Sequence, residues 1–358
     1  MMNMIQESTG KGKKNKPVDV VMLQLLFNKF EIAKIKRAAA MLANSPAPTT
    51  PAATVEYVLV KDTKETDIEK LPKLSIDGTS TTKLSERIEA YQKAKKMTII
   101  DGWIGKGGTT IKALMSDAGI TPGTTRMTFI RKKIVSPLGV NSIKVDGVTT
   151  LYEKQFSALS AANKEGFKYI LKTAKADTDL TSIPELAYML ATTKHETAHT
   201  FRGIGEYGKG AGKTYGNEIT VTDTKTKKVY KNKYYGRGYV QITWGYNYQR
   251  IDHKLGHGSY PNKDKTKVAD YNKGFTISAP TKSIYLNPEK ALDKENAYVG
   301  LVWGMQKGIF TGKKISNYVN ATKVDYVNAR RVINGTDKAN KIANYAENLE
   351  IILRTSTK

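Results

Sequence analysis

The chain has 358 residues, with 58 Lys and Arg against 33 Asp and Glu for a formal net charge of +25. That length exceeds one ordinary compact domain, so a small module plus a larger domain with its own core is expected; with 24 basic against 14 acidic residues in 1–150, and 34 against 19 in 151–358, both halves are basic. The absence of cysteine excludes disulfide scaffolds, thiolate metal sites and thiol nucleophiles, while the positive field favours polyanionic partners: nucleic acid, an anionic membrane surface, or a bacterial wall bearing carboxylates and phosphates.

Met1 to Asp19 is polar and lysine-rich, and the apolar stretch Val20 to Phe27 is too short and poorly placed for a signal peptide. No apolar run is long enough to span a bilayer. The expectation is a soluble protein made in the cytoplasm without a conventional export signal. Val18 to Leu42 carries apolar residues at helical spacing and then breaks at Pro46, Pro48 and Pro51, so a proline-rich insert is expected over 43–55. Ile76-Asp77-Gly78 leads into a helical run through Leu84, Ile88 and Tyr91, and Ile100-Asp101-Gly102-Trp103-Ile104-Gly105 leads into Thr109 to Met115. The order is helix, Asp-Gly turn, helix, Asp-Gly turn, helix. Asp101 to Gly105 followed by Thr110, Ala113 and Leu114, with Tyr91-Gln92-Lys93 before them, resembles small three-helix peptidoglycan-binding domains. That module is assigned to 1–118.

Residues 120–150 hold Pro122-Gly123, the basic run Arg131-Lys132-Lys133 and alternating Val140, Ile143 and Val145, which predicts a linker over 119–149 with one or two short strands. The second domain, 150–358, reads as mainly helical over Phe156–Ala174, Ser182–Thr200, Lys290–Gly304, Ala321–Asn334 and Lys338–Arg354. Gly, Thr, Tyr and Lys with alternating Val and Tyr between 205 and 242 suit loops and a β-hairpin. The fold class is α+β and mostly helical. No internal repeat is evident across the two halves.

Ser182-Ile183-Pro184-Glu185 has the form of a helix start. Leu186, Met189, Leu190 and Thr193 then form an apolar stripe, and Glu196 falls on or beside it one turn later, aimed at the interior or a cleft. A carboxyl group so placed is suited to hold a proton and act as an acid. His195-Glu196-Thr197-Ala198-His199 also fits the HExxH zinc-peptidase pattern. No third ligand stands in a recognisable downstream motif; His253 and His257 form a second pair in a Lys- and Gly-rich segment. Neither a metal nor a cofactor is expected.

The second motif is Tyr234-Tyr235-Gly236-Arg237-Gly238-Tyr239-Val240-Gln241-Ile242-Thr243-Trp244, followed by Tyr246-Asn247-Tyr248. With His195-Glu196-Thr197, the interval Gly205-Glu206-Tyr207-Gly208-Lys209-Gly210 and the segment Ala329-Arg330-Arg331-Val332-Ile333-Asn334-Gly335, it closely resembles glycoside hydrolase family 19, the chitinase-like group within the lysozyme-like superfamily that includes phage endolysins. The resemblance spans about 150–354 and implies a lysozyme-like catalytic domain that hydrolyses β-1,4 bonds of peptidoglycan, with Glu196 as general acid, Glu206 as second carboxylate in an inverting scheme, and Thr243 holding the attacking water. Glu218 is the fallback for the base. His195, Tyr235, Arg237, Tyr239, Gln241, Trp244, Asn247 and Asn334 are the implied substrate-side residues. Arg237 is expected to pair a buried carboxylate near the acid, Tyr239 and Trp244 equally suit the core, and Asn334 before Gly335 equally suits a helix C-cap.

The implied partners are peptidoglycan glycan strands and an anionic cell-wall or outer-membrane surface, reached after holin-type release or with a phage or injection particle. Alternatives are a chitinase, a structural lysozyme-like component of a virion or contractile injection particle, and a zinc peptidase. No RNP, helix-turn-helix or zinc-finger pattern appears and the basic residues are dispersed, so specific nucleic-acid recognition is not expected.

Overall fold

The computed structural model describes residues 5–28, 74–120, 126–134, 139–223, 225–261 and 275–357. The proline-rich insert, the continuation of the first helix toward Leu42, and Pro122-Gly123 lie outside the described residues. Among the described residues the architecture is mostly helical with three two-stranded antiparallel sheets. Among the described residues no helix is long and apolar enough to cross a membrane.

The N-terminal part comprises β1 (Thr9–Gly10), α1 (17–28), α2 (Thr82–Ala94), β2 (Trp103–Ile104), which pairs with β1, and α3 (Thr109–Asp117). It contains a repeat that the sequence hides. Gln24 on α1 receives the Asp77 and Gly78 amides on Oε1, at 3.3 and 3.2 Å, and donates from Nε2 to Asp77 Oδ1 at 3.0 Å. Gln92 on α2 receives the Asp101 and Gly102 amides on Oε1, both at 3.1 Å, and donates to Asp101 Oδ1 at 2.9 Å. Each Asp-Gly turn is thus held by a glutamine from the preceding helix, and each glycine is left-handed, with φ of +70° at Gly78 and +69° at Gly102, a conformation that side chains resist. Asn28 makes a reciprocal pair of hydrogen bonds with the Leu74 backbone, at 2.9 and 3.1 Å.

The expected linker carries structure of a different kind from the strands its alternation suggested. Arg126–Lys133 is a helix, α4, and Val140–Ser142 is a 3-10 turn leading into α5 (Val145–Gln155). Val140 and Ile143 are fully buried, and their spacing of three suits that tight turn as well as it suits a strand. Arg131 reaches Glu350, at 2.6 Å from Nη2 to Oε2, while Lys16 Nζ donates to the Gln155 carbonyl at 2.7 Å. The N-terminal module is therefore docked on the larger part through a continuous apolar cluster running from Ile5 to Leu353.

The larger part follows with α6 (Ala161–Ala176), α7 (Ile183–Glu196), β3 (Ile204–Gly205), β4 (Glu218–Thr222), β5 (Val229–Lys233), β6 (Arg237–Gly238), α8 (Gly245–Lys254), α9 (Lys294–Lys307), α10 (Tyr326–Ala329) and α11 (Ala339–Thr355). The sequence joins α5 and α6 wrongly: Phe156 ends one helix, and Ser160 caps the next by accepting from the Asn163 amide. Ala321–Asn334 is helical only from Tyr326, where Asp325 caps the Asn328 amide at 3.0 Å. The expected hairpin is β4 with β5, and β3 pairs with β6.

α7 is the structural axis. Ser182 caps it, accepting from the Glu185 amide, and Pro184 sits in its first turn. Ile183 and Leu186 through Lys194 are all buried, so the helix lies inside the molecule and packs mainly on α11. Each fully buried Leu or Met there contributes about 1.5–3 kcal/mol, which fixes the height and rotation of the residue at the helix end. That residue is Glu196.

Candidate active site

α7 stops at Glu196 because the chain turns back on itself there. Thr197 Oγ1 donates to the Thr193 carbonyl at 2.7 Å and accepts from the Phe201 amide at 3.0 Å, and Ala198, His199 and Phe201 all have positive φ. His199 is consequently beyond the helix, in a left-handed conformation, and does not stand one helical turn above His195. The zinc-peptidase arrangement needs both imidazoles on one helical face, and this geometry does not provide it. Among the described residues no group of three His, Asp or Glu is placed to hold a metal.

Glu196 borders a cleft of about 460 Å³. Arg330, from the 3-10 turn after α10, donates to its Oε1 from Nη1 at 2.5 Å; the guanidinium side chain is 3% exposed and the glutamate 16%. Arg330 Nε is held in turn by the Asp337 carbonyl at 3.1 Å. His195, expected on the substrate side, is not among the residues that line the cleft; burial pushes its imidazole below its ordinary value against the pull of the Glu196 carboxylate.

Glu206 borders the same cleft from the opposite support. Its amide donates to the Gly236 carbonyl at 2.7 Å, the Gly236 amide donates to Glu206 Oε2 at 3.2 Å, and the Tyr215 hydroxyl donates to Oε1 at 3.0 Å. Burial, and then the carboxylate itself, raise the Tyr215 hydroxyl above its ordinary value, so it stays a donor. Tyr215 precedes β4 and Gly236 follows β5, so the two ends of the hairpin clamp the two oxygens. A Cβ at Gly236 would meet Gln241 Oε1 at 2.8 Å, so a side chain there would have to displace the Gln241 amide. Glu218 is exposed on β4, 3.7 Å from Lys231, and does not line the cleft.

The motif after β6 builds one wall. Arg237 and Ile242 exchange backbone hydrogen bonds at 3.2 and 2.8 Å around a tight turn in which Gln241 has φ +55°. Gln241 Nε2 binds the Ile204 carbonyl at 3.0 Å, tying the turn to the strand that leads to Glu206. Thr243, Trp244, Tyr246 and Asn247 face the cleft; Tyr215 meets Trp244 edge-on at 5.8 Å, and Tyr246 stacks on it at 6.4 Å. Asn247 is 2% exposed; its Nδ2 donates to the Thr243 carbonyl at 3.0 Å, whereas its buried Oδ1 has no partner among the described residues. Phe310, Ile333 and Asn334 close the other side, and Asn334 Oδ1 also accepts from the Gly335 amide at 2.8 Å.

Besides His195, three expected cleft residues sit elsewhere. Arg237 is buried and binds Glu289, at 2.7 Å from Nη2, together with the Lys233 and Tyr235 carbonyls and the Tyr248 hydroxyl; its carboxylate partner is exposed and is not Glu196. Tyr235 lies flat beneath that guanidinium at 3.5 Å and donates to Glu289 at 3.0 Å. Tyr239 is 1% exposed in the core. Arg237 and Tyr235 join the hairpin to the turn at Pro288–Leu292 through Glu289. Sequence reasoning also missed Arg330 and Tyr215, although Arg330 stands in a segment it had singled out. No protein-family model, curated protein or solved structure matches this chain.

Proposed function

We propose that the chain is a glycoside hydrolase whose larger part is a lysozyme-like domain related to family 19. More narrowly, its substrate is the β-1,4-linked glycan of bacterial peptidoglycan. The observation that carries the reading is the placement of two carboxylates, Glu196 on a helix end and Glu206 on a strand-tethered loop, at one cleft with an aromatic wall.

Glycan hydrolysis needs one carboxylic acid and one carboxylate about the scissile bond, separated by about 6.5–9.5 Å when configuration inverts. Glu196 gives its proton to the leaving glycosidic oxygen. Glu206 takes a proton from water, whose oxygen bonds to the anomeric carbon from the opposite face, with Thr243 beside it. The flat faces of Trp244 and Tyr246 suit sugar rings. The charge of +25 favours approach to an anionic wall, and delivery by a holin-type pore or a particle belongs to the same reading.

The test is digestion of purified peptidoglycan by wild type and Glu196→Gln, with and without chelator, reading new reducing ends by mass spectrometry. New glycan ends that persist in chelator and fall about 10²- to 10⁴-fold in the variant are expected. Intact glycan, or peptide cleavage abolished by chelator, would return the reading to a structural component or a peptidase.

A further inference from the structure

The β4–β5 hairpin carries a charge density that neither the fold nor the proposed chemistry requires. Between 209 and 233 there are seven lysines, at 209, 213, 225, 227, 228, 231 and 233, against Glu218 and Asp223, and all seven are exposed. The register sorts the two faces. Ile219 with Asn232 and Val221 with Tyr230 turn inward, Asn232 donating to the Tyr285 and Leu286 carbonyls at 2.9 and 3.0 Å. Lys231, Lys233 and Thr220 turn outward, and Lys225, Lys227 and Lys228 crowd the turn. Five-residue strands reach about 17 Å, so the cationic face begins where Tyr215 and Gly236 grip Glu206 and extends well past the cleft.

From this we infer that the hairpin is a specificity arm that reads the stem-peptide carboxylates of a glycan strand lying in the cleft, and so favours peptidoglycan over an uncharged polymer of the same linkage. The inference rests on the proposed function and deepens it. Chitin and peptidoglycan present the same β-1,4 backbone to Glu196 and Glu206, so a cleft built for that backbone discriminates poorly. The difference between them is charge: chitin is neutral, whereas peptidoglycan carries carboxylates on the peptides of alternate sugars. A row of exposed ammonium groups beside the cleft is complementary to that pattern and adds little to the neutral polymer. Exposed pairs are individually weak and screened by salt, so the arm acts through several contacts and is tuned by ionic strength.

The experiment compares wild type with a Lys225→Gln, Lys228→Gln, Lys233→Gln variant and with the matching triple Lys→Arg variant, on peptide-bearing glycan strands and on chitohexaose. Neutralisation is expected to raise KM on peptide-bearing strands about tenfold, three weak pairs at about twofold each. kcat and chitohexaose turnover stay unchanged, the arginine variant retains wild-type behaviour, and the difference vanishes in high salt. Equal loss on both substrates, or no loss on either, overturns the inference.

A binding arm separates this outcome from failure of the hydrolase reading. Fluorescently labelled peptide-bearing strands are titrated into Glu196→Gln with and without the lysine changes, and weakening by those changes supports the arm even where no cleavage occurs. If only walls bearing polyol-phosphate polymer lose affinity, the occupant is that polymer and the carboxylate assignment falls.

Discussion

Replacing Arg330 by Met tests whether the candidate acid is held in place by the ion pair at its back. Stripping one partner from a fully buried pair costs about 3–5 kcal/mol. Arg330 meets that condition at 3% exposure, but Glu196, at 16%, borders the cleft. Water can solvate the stranded carboxylate, so the loss of stability is expected to be smaller, about 1–3 kcal/mol, which lowers Tm by several degrees.

The catalytic effect should be the larger one. Without the 2.5 Å contact, Glu196 is free to swing about its side-chain torsions, and a misplacement of about 1 Å can slow a reaction roughly 10²-fold, close to 3 kcal/mol of barrier. Reducing-end release measured against peptidoglycan concentration, beside thermal melts, should show kcat down about a hundredfold with KM little changed. Arg330→Lys keeps a point charge but loses the planar fork and the bond to the Asp337 carbonyl, and should fall between. A folded Arg330→Met enzyme with kcat close to wild type would refute the argument that this pair positions the acid.

Tyr215→Phe removes the 3.0 Å hydrogen bond to Glu206 and should lower kcat about tenfold, the worth of a hydrogen bond of about 1.5 kcal/mol to a charged group, with the melting curve nearly unchanged. Glu350 is fully buried between Arg131, Arg354 and Tyr326; Glu350→Gln should cost about 3–5 kcal/mol in urea unfolding. Burial works to raise that carboxyl, but the two arginines and the tyrosine pull it below its ordinary value, so its stabilisation is present above the unfolded value and lost as pH falls through the folded one. Lys194 is 2% exposed and enclosed by Tyr152, Phe156 and Tyr345, and burial lowers it from an ordinary 10.5 to about 8. Between those values the unfolded chain binds more protons, so wild-type stability rises with pH; the gap between wild type and Lys194→Met, read by denaturant melts at pH 7 and 10, should change by up to about 3 kcal/mol.

The elements best read from sequence are those whose signals are local. Ser182, Pro184 and the apolar run place the start of α7, and alternation around Val221 and Tyr230 places the hairpin. The end of α7 was not legible, because Thr197 stops it with bonds to Thr193 and Phe201 that no propensity encodes. Nor was the partner of the acid: Arg330 lies 134 residues beyond Glu196, and motif spacing carries no pairing information at that distance. Arg237 is expected from sequence to pair a buried carboxylate near Glu196, but its partner is Glu289, an exposed residue of the turn at Pro288–Leu292. The doubled Gln–Asp–Gly clasp escaped notice because a long segment separates Gln24 from Asp77, whereas Gln92 and Asp101 are close in sequence.

The two candidate carboxylates rest on supports of different stiffness, and that difference bears on their roles. Glu196 ends a helix buried on all sides and is backed by an arginine that is itself fixed, so its freedom is small. An acid that must meet one leaving oxygen benefits from such fixity. Glu206 stands in a half-exposed stretch among glycines, held by one tyrosine hydroxyl and one backbone amide from the two ends of the hairpin. Weakly buried segments of this kind open at lower free-energy cost than packed helices. A base that must accommodate a water as well as the sugar can use that latitude. Both of its clamps flank the hairpin, so the base and the lysine face share one support, and a strand bound along that face gains affinity while Tyr215 and Gly236 hold the base unchanged.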